Sequence, residues 1–401
     1  MRVRTQTDSS GRGLVVHWGQ EPFYLDTLLL VLTLAILLFG FVMVTSASLH
    51  LGEKMANDSF YFPKRQAFHI FAGLLTGGLM MRVPIYRLEQ YAGKLFLAGL
   101  LLLVLVLIPG LGKSVNGSIR WLNLFGFRIQ VSEVFKLMSF IYISSYITRY
   151  SDRVRHSIWG MIIPFGYLSV GAVLLLMEPD FGSTAVIMAT SLGMFFLAGA
   201  RMWQFIVLLG GLGGAAVILV MSASYRLKRV LSFMDPWADP LNSGFQLTQA
   251  LIAFGRGEWM GVGLGSSVQK LFFLPEAHTD FLFSVIGEEL GLAGAASVII
   301  MFTLIVWRAF LIGRLAMMAD RPFAGYLAYG IATWFGLQSF INMGVNMGLL
   351  PTKGLTLPLM SYGGGSMMVM CAALAILFRI RSESVEYFVG SARARAAWRV
   401  S

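Results

Sequence analysis

Long apolar intervals separated by short polar breaks run through almost the whole chain. Charge-free runs cover Thr27 to Ala47, Gln66 to Met81, Leu95 to Gly112 and Ser157 to Met177. They continue at Phe181 to Ala200, Met202 to Tyr225, Leu290 to Trp307, Pro322 to Thr352 and Gly354 to Phe378. A helix that crosses a bilayer needs ~20 mostly apolar residues, so each run reads as one span. Leu137 to Thr148 is uncharged but short, and that span extends back through Lys136 and Glu133 to Ser132. The pattern predicts an all-α, polytopic membrane protein with ten transmembrane helices. The first run follows a polar, Arg-containing stretch and lacks a small-residue cleavage site, which predicts a retained helix.

Charge orients these spans. With the N-terminus inside, 18 of the 31 Lys and Arg residues fall on inner segments, which places both termini in the cytoplasm. The expected organisation is a cytoplasmic N-terminal tail over 1–23, one membrane domain over 24–381 and a basic cytoplasmic C-terminal tail over 382–401. The one large outer loop, 226–279, joins spans seven and eight. Charged residues are only 13% of the chain against 57% hydrophobic ones. The net charge of +11 then follows from topology and attraction to anionic lipid, and makes no case for nucleic acid. A single cysteine, Cys371, and five scattered histidines give neither a disulfide framework nor metal-ligand spacing. No nucleotide-binding loop is present, and nothing calls for an organic cofactor.

Chemistry should gather where polar residues interrupt this pattern. Asp280 stands where the large loop meets span eight; it either caps that helix or, half-submerged, has the raised proton affinity of a general base. Glu288 and Glu289 lie on the same helix, Glu288 roughly 12 Å deeper. At such depth carboxylates must be paired or line a path. Glu133 and Lys136 stand at i,i+3 spacing, as an internal ion pair or with the lysine in a phosphate site. Arg226, Lys228, Arg229, Arg256, Lys270 and Lys353, with Arg120 beside Trp121, put positive charge outside. An anionic lipid headgroup would account for it. Leu357 to Ser366, with three glycines near Pro358, predicts a broken helix start, and Asn342 and Asn346 add polar groups one turn apart in span nine.

Several short segments occur in a distinctive order. They are Asn116-Gly117 with Arg120-Trp121, Gln130 to Lys136, Glu178-Pro179-Asp180-Phe181-Gly182 and Asp235-Pro236-Trp237. Gly261-Val262-Gly263-Leu264-Gly265, Leu274-Pro275-Glu276 through Asp280-Phe281, and Ser361-Tyr362-Gly363-Gly364 follow. From about Asp26 to Arg381 the chain resembles the shape, elongation, division and sporulation family of membrane glycosyltransferases. Within it, Pro351 to Pro358 looks like the division branch more than the elongation branch. Val131 departs from the family's usual proline.

The resemblance implies polymerisation of lipid II into glycan at the division septum of the bacterial inner membrane. It also implies a class B penicillin-binding protein as cross-linking partner, among other divisome membrane proteins. Asp280 falls on the family's essential acid, and Lys136, Trp121, Glu133, Lys353 and Ser361 on its other marked positions.

The chemistry agrees with that expectation. A sugar hydroxyl attacking an anomeric carbon needs a base. A pyrophosphate leaving group needs no proton, only charge neutralisation by cations or by a divalent ion such as Mg or Mn. Asp280 is the expected base; Lys136, Lys353 and one or more of Arg226, Arg229 and Lys270 are the expected cradle. Two rivals differ in kind: a lipid II flippase, which would show internal repeats and polar residues at all depths, and a divisome scaffold, for which Asp280 would be dispensable.

Overall fold

Each apolar interval folds around one helix. The computed structural model describes all residues except 1, 8–12, 19–20, 116–117, 125–126, 223, 243, 352–353 and 399–401. Helices α1 (Thr27–Ala56), α2 (Tyr61–Met80), α3 (Ile85–Leu107) and α4 (Val131–Arg149) precede the short α5 (Ser151–His156). Then come α6 (Trp159–Met177), α7 (Phe181–Leu197), α8 (Met202–Met221), α9 (Ser224–Met234) and α10 (Phe245–Gly257). Helices α11 (Leu282–Met318), α12 (Pro322–Asn346) and α13 (Gly364–Trp398) complete the chain. Among the described residues, six helices (α1, α3, α6, α8, α11 and α13) are long and apolar enough to cross a membrane. Helices α4 and α12 instead devote buried positions to Glu133, Lys136, Gln338, Asn342 and Asn346.

One expectation needs correction. The chain is mostly helical but not all-α. Strands β1 (Arg2–Thr7), β2 (Gly13–Trp18) and β3 (Glu21–Asp26) form one antiparallel sheet, and β4 (Gly112–Val115), β5 (Ser118–Leu124) and β6 (Phe127–Gln130) another. In the second, Ile119 and Trp121 alternate with Ser118 and Arg120, and Phe127 and Ile129 with Arg128 and Gln130. That is a two-residue period, too short-ranged to show beside the spans. The large loop holds α9, α10 and a π-helical turn at Gln269–Phe273. Leu247, Ala250, Ala253 and Gly257 form a buried stripe at helical spacing on α10, which packs on α11.

Helix α12 is the axis of the bundle, packed against α4, α7, α11 and α13. Helix α8 is peripheral, with Gln204 its one buried residue. At the end away from Asp280, buried Asp26 caps α1 through Leu29 N (3.0 Å) and pairs with Arg308 (2.7 Å) and Arg381 (2.9 Å). One carboxylate thereby ties α1, α11 and α13 together.

Helix α11 is interrupted at Gly291 (φ 64°, ψ −159°). Its break is filled by the end of the large loop. Leu292 N and Ala293 N donate to Glu258 O and Trp259 O (2.9 and 3.1 Å), while Glu288 O and Glu289 O accept from Val262 N and Gly263 N (both 3.0 Å). In an unbroken helix those two donors would reach those two acceptors. Two internal bonds are exchanged for four to the loop, and no main-chain group in the exchange is left unsatisfied. The approach demands glycine. A Cβ on Gly257 would strike Gly287 O, and one on Gly261 (φ +79°) would strike Glu289 O.

Buried side chains then lock the loop. Glu288 accepts from Ser267 Oγ, Val268 N (3.0 Å), Gln269 N (3.3 Å) and Arg256 (3.3 Å). Glu289 accepts from Lys270 Nζ (2.7 Å) and Ser46 Oγ of α1 (2.7 Å). These carboxylates are paired and structural.

Candidate active site

Asp280 lies two residues before α11, held by its main chain. Asn342 Nδ2 and Asn346 Nδ2 both donate to its carbonyl oxygen at 2.9 Å. Asn342 also donates to Leu355 O (2.6 Å), and Asn346 Oδ1 accepts from Ser284 N (3.0 Å) and Ser284 Oγ (2.8 Å). These asparagines continue a stripe on α12, four residues apart, that begins at Trp334 and Gln338; side chains so spaced share one helix face. Ser361 closes the arrangement from the segment before α13. Its hydroxyl donates to Thr279 O (2.7 Å) and accepts from Leu357 N (2.9 Å).

With the backbone pinned, the Asp280 side chain accepts no hydrogen bond among the described residues, and its Oδ2 faces Gly354. Burial and the neighbouring Glu276 carboxylate push its pKa up from 3.8 to about 7, Asp180 adding to the rise and Arg120 opposing it. A carboxylate of that basicity changes protonation near neutral pH, as a general base requires.

The turn between α6 and α7 supplies the rest. Glu178 is fully buried, and neither carboxyl oxygen has a hydrogen-bond partner among the described residues. Burial and Asp180 push its pKa up to about 8, against the pull of Arg120, so it is largely neutral at pH 7. Asp180 caps α7 through Ser183 N (3.1 Å). Arg120, on β5, reaches this turn with Nε on Glu178 O (3.0 Å) and Nη2 on Pro179 O (2.5 Å).

The cations singled out in the sequence fare differently. Lys136 Nζ is fully buried between Glu133 (2.7 Å) and Gln338 Oε1 (2.9 Å), with the Trp334 ring 5.6 Å away. Gln338 Nε2 in turn donates to Thr356 O (3.1 Å), so this pair braces the segment that borders Asp280. Lys270 is spent on Glu289, and Arg229 is exposed on α9, away from these contacts. Neither Lys136 nor Lys270 stands as a free charge beside Asp280. Trp121 is half-buried on β5, paired in register with Gln130 immediately before α4. Lys353 and the side chain of Arg226 lie outside the described residues.

What the sequence reading underweighted is Arg120, grouped there with the outer cations, and Glu178-Pro179-Asp180, noted without a role. The signal available was an arginine on the polar phase of a short alternating segment. Among the described residues no three His, Cys, Asp or Glu side chains converge as a metal-ligand set.

Comparison with known proteins places the chain in a family. The family model described as "Cell cycle protein", covering FtsW, RodA and SpoVE, matches residues 26–386. The chain is 69% identical over 391 residues to a "Probable peptidoglycan glycosyltransferase FtsW" of Methylococcus capsulatus, covering 98% of each. It is 57% identical over 364 residues to the protein of that name from Methylomonas methanica, covering 91% of this chain and 94% of that one. Among solved structures it resembles a chain from work on the structural coordination of polymerization and crosslinking by a peptidoglycan synthase complex. That match has a TM-score of 0.72 and 28% identity, over 90% of this chain and 98% of the other. It also resembles the rod shape determining protein RodA of Thermus thermophilus, with a TM-score of 0.66 and 27% identity, over 89% of this chain and 96% of the other.

Proposed function

The chain belongs to the FtsW/RodA/SpoVE family of cell cycle proteins, and from that premise we propose that Asp280 is its general base in polymerising lipid II. The protein is a multi-pass membrane peptidoglycan glycosyltransferase of cell division. In the proposed step the acceptor 4-hydroxyl oxygen attacks the donor's anomeric carbon as its proton passes to Asp280. The bond from that carbon to the pyrophosphate oxygen breaks, and its electron pair leaves with undecaprenyl pyrophosphate. Attack opposite the leaving group inverts the anomeric centre. A glycosidase needs a second carboxyl to protonate its alkoxide; pyrophosphate does not.

One observation carries the assignment: Asp280 is fixed through its main-chain carbonyl by Asn342 and Asn346, which leaves a carboxylate with proton affinity near neutrality free to act. The ten-span topology with both termini cytoplasmic belongs to the same proposal, as does residence at the septal inner membrane. Asp280 then opens outward, where flipped lipid II presents its sugars. Similarity to a peptidoglycan synthase complex supports a cross-linking penicillin-binding protein as partner.

The test is polymerisation of lipid II by the full chain with that partner, run beside Asp280→Asn at matched folding. Polymer from the parent alone supports the base. Polymer from both removes Asp280 from that role. No polymer from either, with partner and divalent ion supplied, turns the question to lipid flipping.

A further inference from the structure

We propose that Arg120 is the residue that grips the pyrophosphate of the lipid-linked donor at Asp280, an inference that rests on the reaction proposed above. Pyrophosphate recognition calls for a cation whose charge is not already cancelled. Lys136, Lys270 and Arg256 each end on a carboxylate, at 2.7, 2.7 and 3.3 Å. Arg120 ends on two neutral carbonyl oxygens and forms no ion pair among the described residues.

A guanidinium carries five N–H donors in a planar fork. Nε and one Nη2 hydrogen are taken by Glu178 O and Pro179 O. Both Nη1 hydrogens and the second on Nη2 remain, and that edge suits two phosphate oxygens at once. Neither the Glu178 carboxyl nor that of Asp180, which caps α7 through Ser183 N, accepts from Arg120 among the described residues. The turn that Arg120 holds borders the segment beside Asp280: a Cβ on Gly182 would stand 3.0 Å from Leu355 Cγ, and one on the adjoining Gly354 would stand 3.2 Å from Asp280 Oδ2. The turn at Glu178 and Pro179 thus positions Arg120 through its main chain.

A plainer role also exists. Glu178 is the C-cap of α6, and a guanidinium there complements the helix dipole. A helix cap and a pyrophosphate ligand part company in binding experiments.

The full chain in nanodiscs, with its cross-linking partner, would be titrated with undecaprenyl pyrophosphate and, separately, undecaprenyl phosphate. The set comprises the parent, Asp280→Asn, Arg120→Gln and Arg120→Lys, and lipid II turnover is measured in parallel. We expect Arg120→Gln to weaken undecaprenyl pyrophosphate binding roughly tenfold to a hundredfold, the range for a lost charged hydrogen bond. Asp280→Asn should bind it at least as well as the parent while losing turnover. Arg120→Lys keeps the charge and the cap but loses the fork, so the preference for pyrophosphate over monophosphate should shrink. That comparison decides the matter even if Arg120→Gln does not fold. Parent-like pyrophosphate binding in Arg120→Gln, or an unchanged preference in Arg120→Lys, would leave Arg120 as a helix cap and overturn the proposal. Retained turnover in Asp280→Asn would strike the base alone, because the binding measurements do not depend on it.

Discussion

Raising Asp280 to about 7 has a consequence that steady-state kinetics can read directly. A base must be ionised to act, so kcat/KM for lipid II should follow the ionised fraction of the free enzyme. With that value, ~9% of Asp280 is ionised at pH 6 and ~1% at pH 5, so activity should fall about tenfold per pH unit on the acid side. A carboxyl at the ordinary 3.8 would stay ionised across this whole interval. The assay is the initial rate of glycan formation between pH 5 and 8.5 at constant ionic strength, with recovery of activity on return to neutral pH as the folding control. Glu276→Gln adds a second condition. Apart from burial, Glu276 is the foremost influence raising Asp280, so its neutralisation should move the acid limb to lower pH. A flat profile from pH 5 to 8 would refute the reasoning. So would a limb near 7 that ignores Glu276→Gln, because it would belong to some other group.

The other predictions concern support for the base. Replacing Asn342 and Asn346 together by alanine frees the Asp280 carbonyl, and kcat should fall at least tenfold with KM for lipid II little changed, a split visible in saturation kinetics. Lys136→Met leaves Glu133 charged and buried and should cost ~3–5 kcal/mol; Glu133→Gln in the same chain should recover part of it, as thermal unfolding in detergent would report. Glu178 is more readily protonated folded than unfolded, so its contribution to stability is intact below pH 4.5 and lost as pH rises through about 8. Thermal stability should therefore drop between pH 6 and 8 by roughly 1–3 kcal/mol in the parent and by less in Glu178→Gln.

The helices were legible because a bilayer demands long apolar runs, and every such run from Thr27 to Phe378 contains a helix. Their ends were less so. Span eight is charge-free only from Leu290, yet its helix begins at Leu282, beside the loop junction read at Asp280, with Glu288 and Glu289 buried on it. The last helix begins at Gly364, where the residues before it pair with the loop at Thr279 and His278. Asp280 was visible from its place at a loop–helix junction. Its partners were not, since an ion pair such as Lys270–Glu289 joins residues nineteen apart through a fold no local pattern encodes. Charge alone made Lys136, Lys270 and Arg120 look alike; only tertiary contact separates the two neutralised lysines from the arginine on bare carbonyls.

The break at Gly291 changes how displacement would travel through the molecule. At that point the Asp280-proximal end of α11 is bonded to the loop in place of the lower helix, and Glu288 and Glu289 rivet the same loop in place. That short stub therefore links the loop at one end to the proposed base, Asp280, at the other. We expect a pull on residues 257–270 from outside to reach Asp280 through this stub, because its bonds at the break run to the loop.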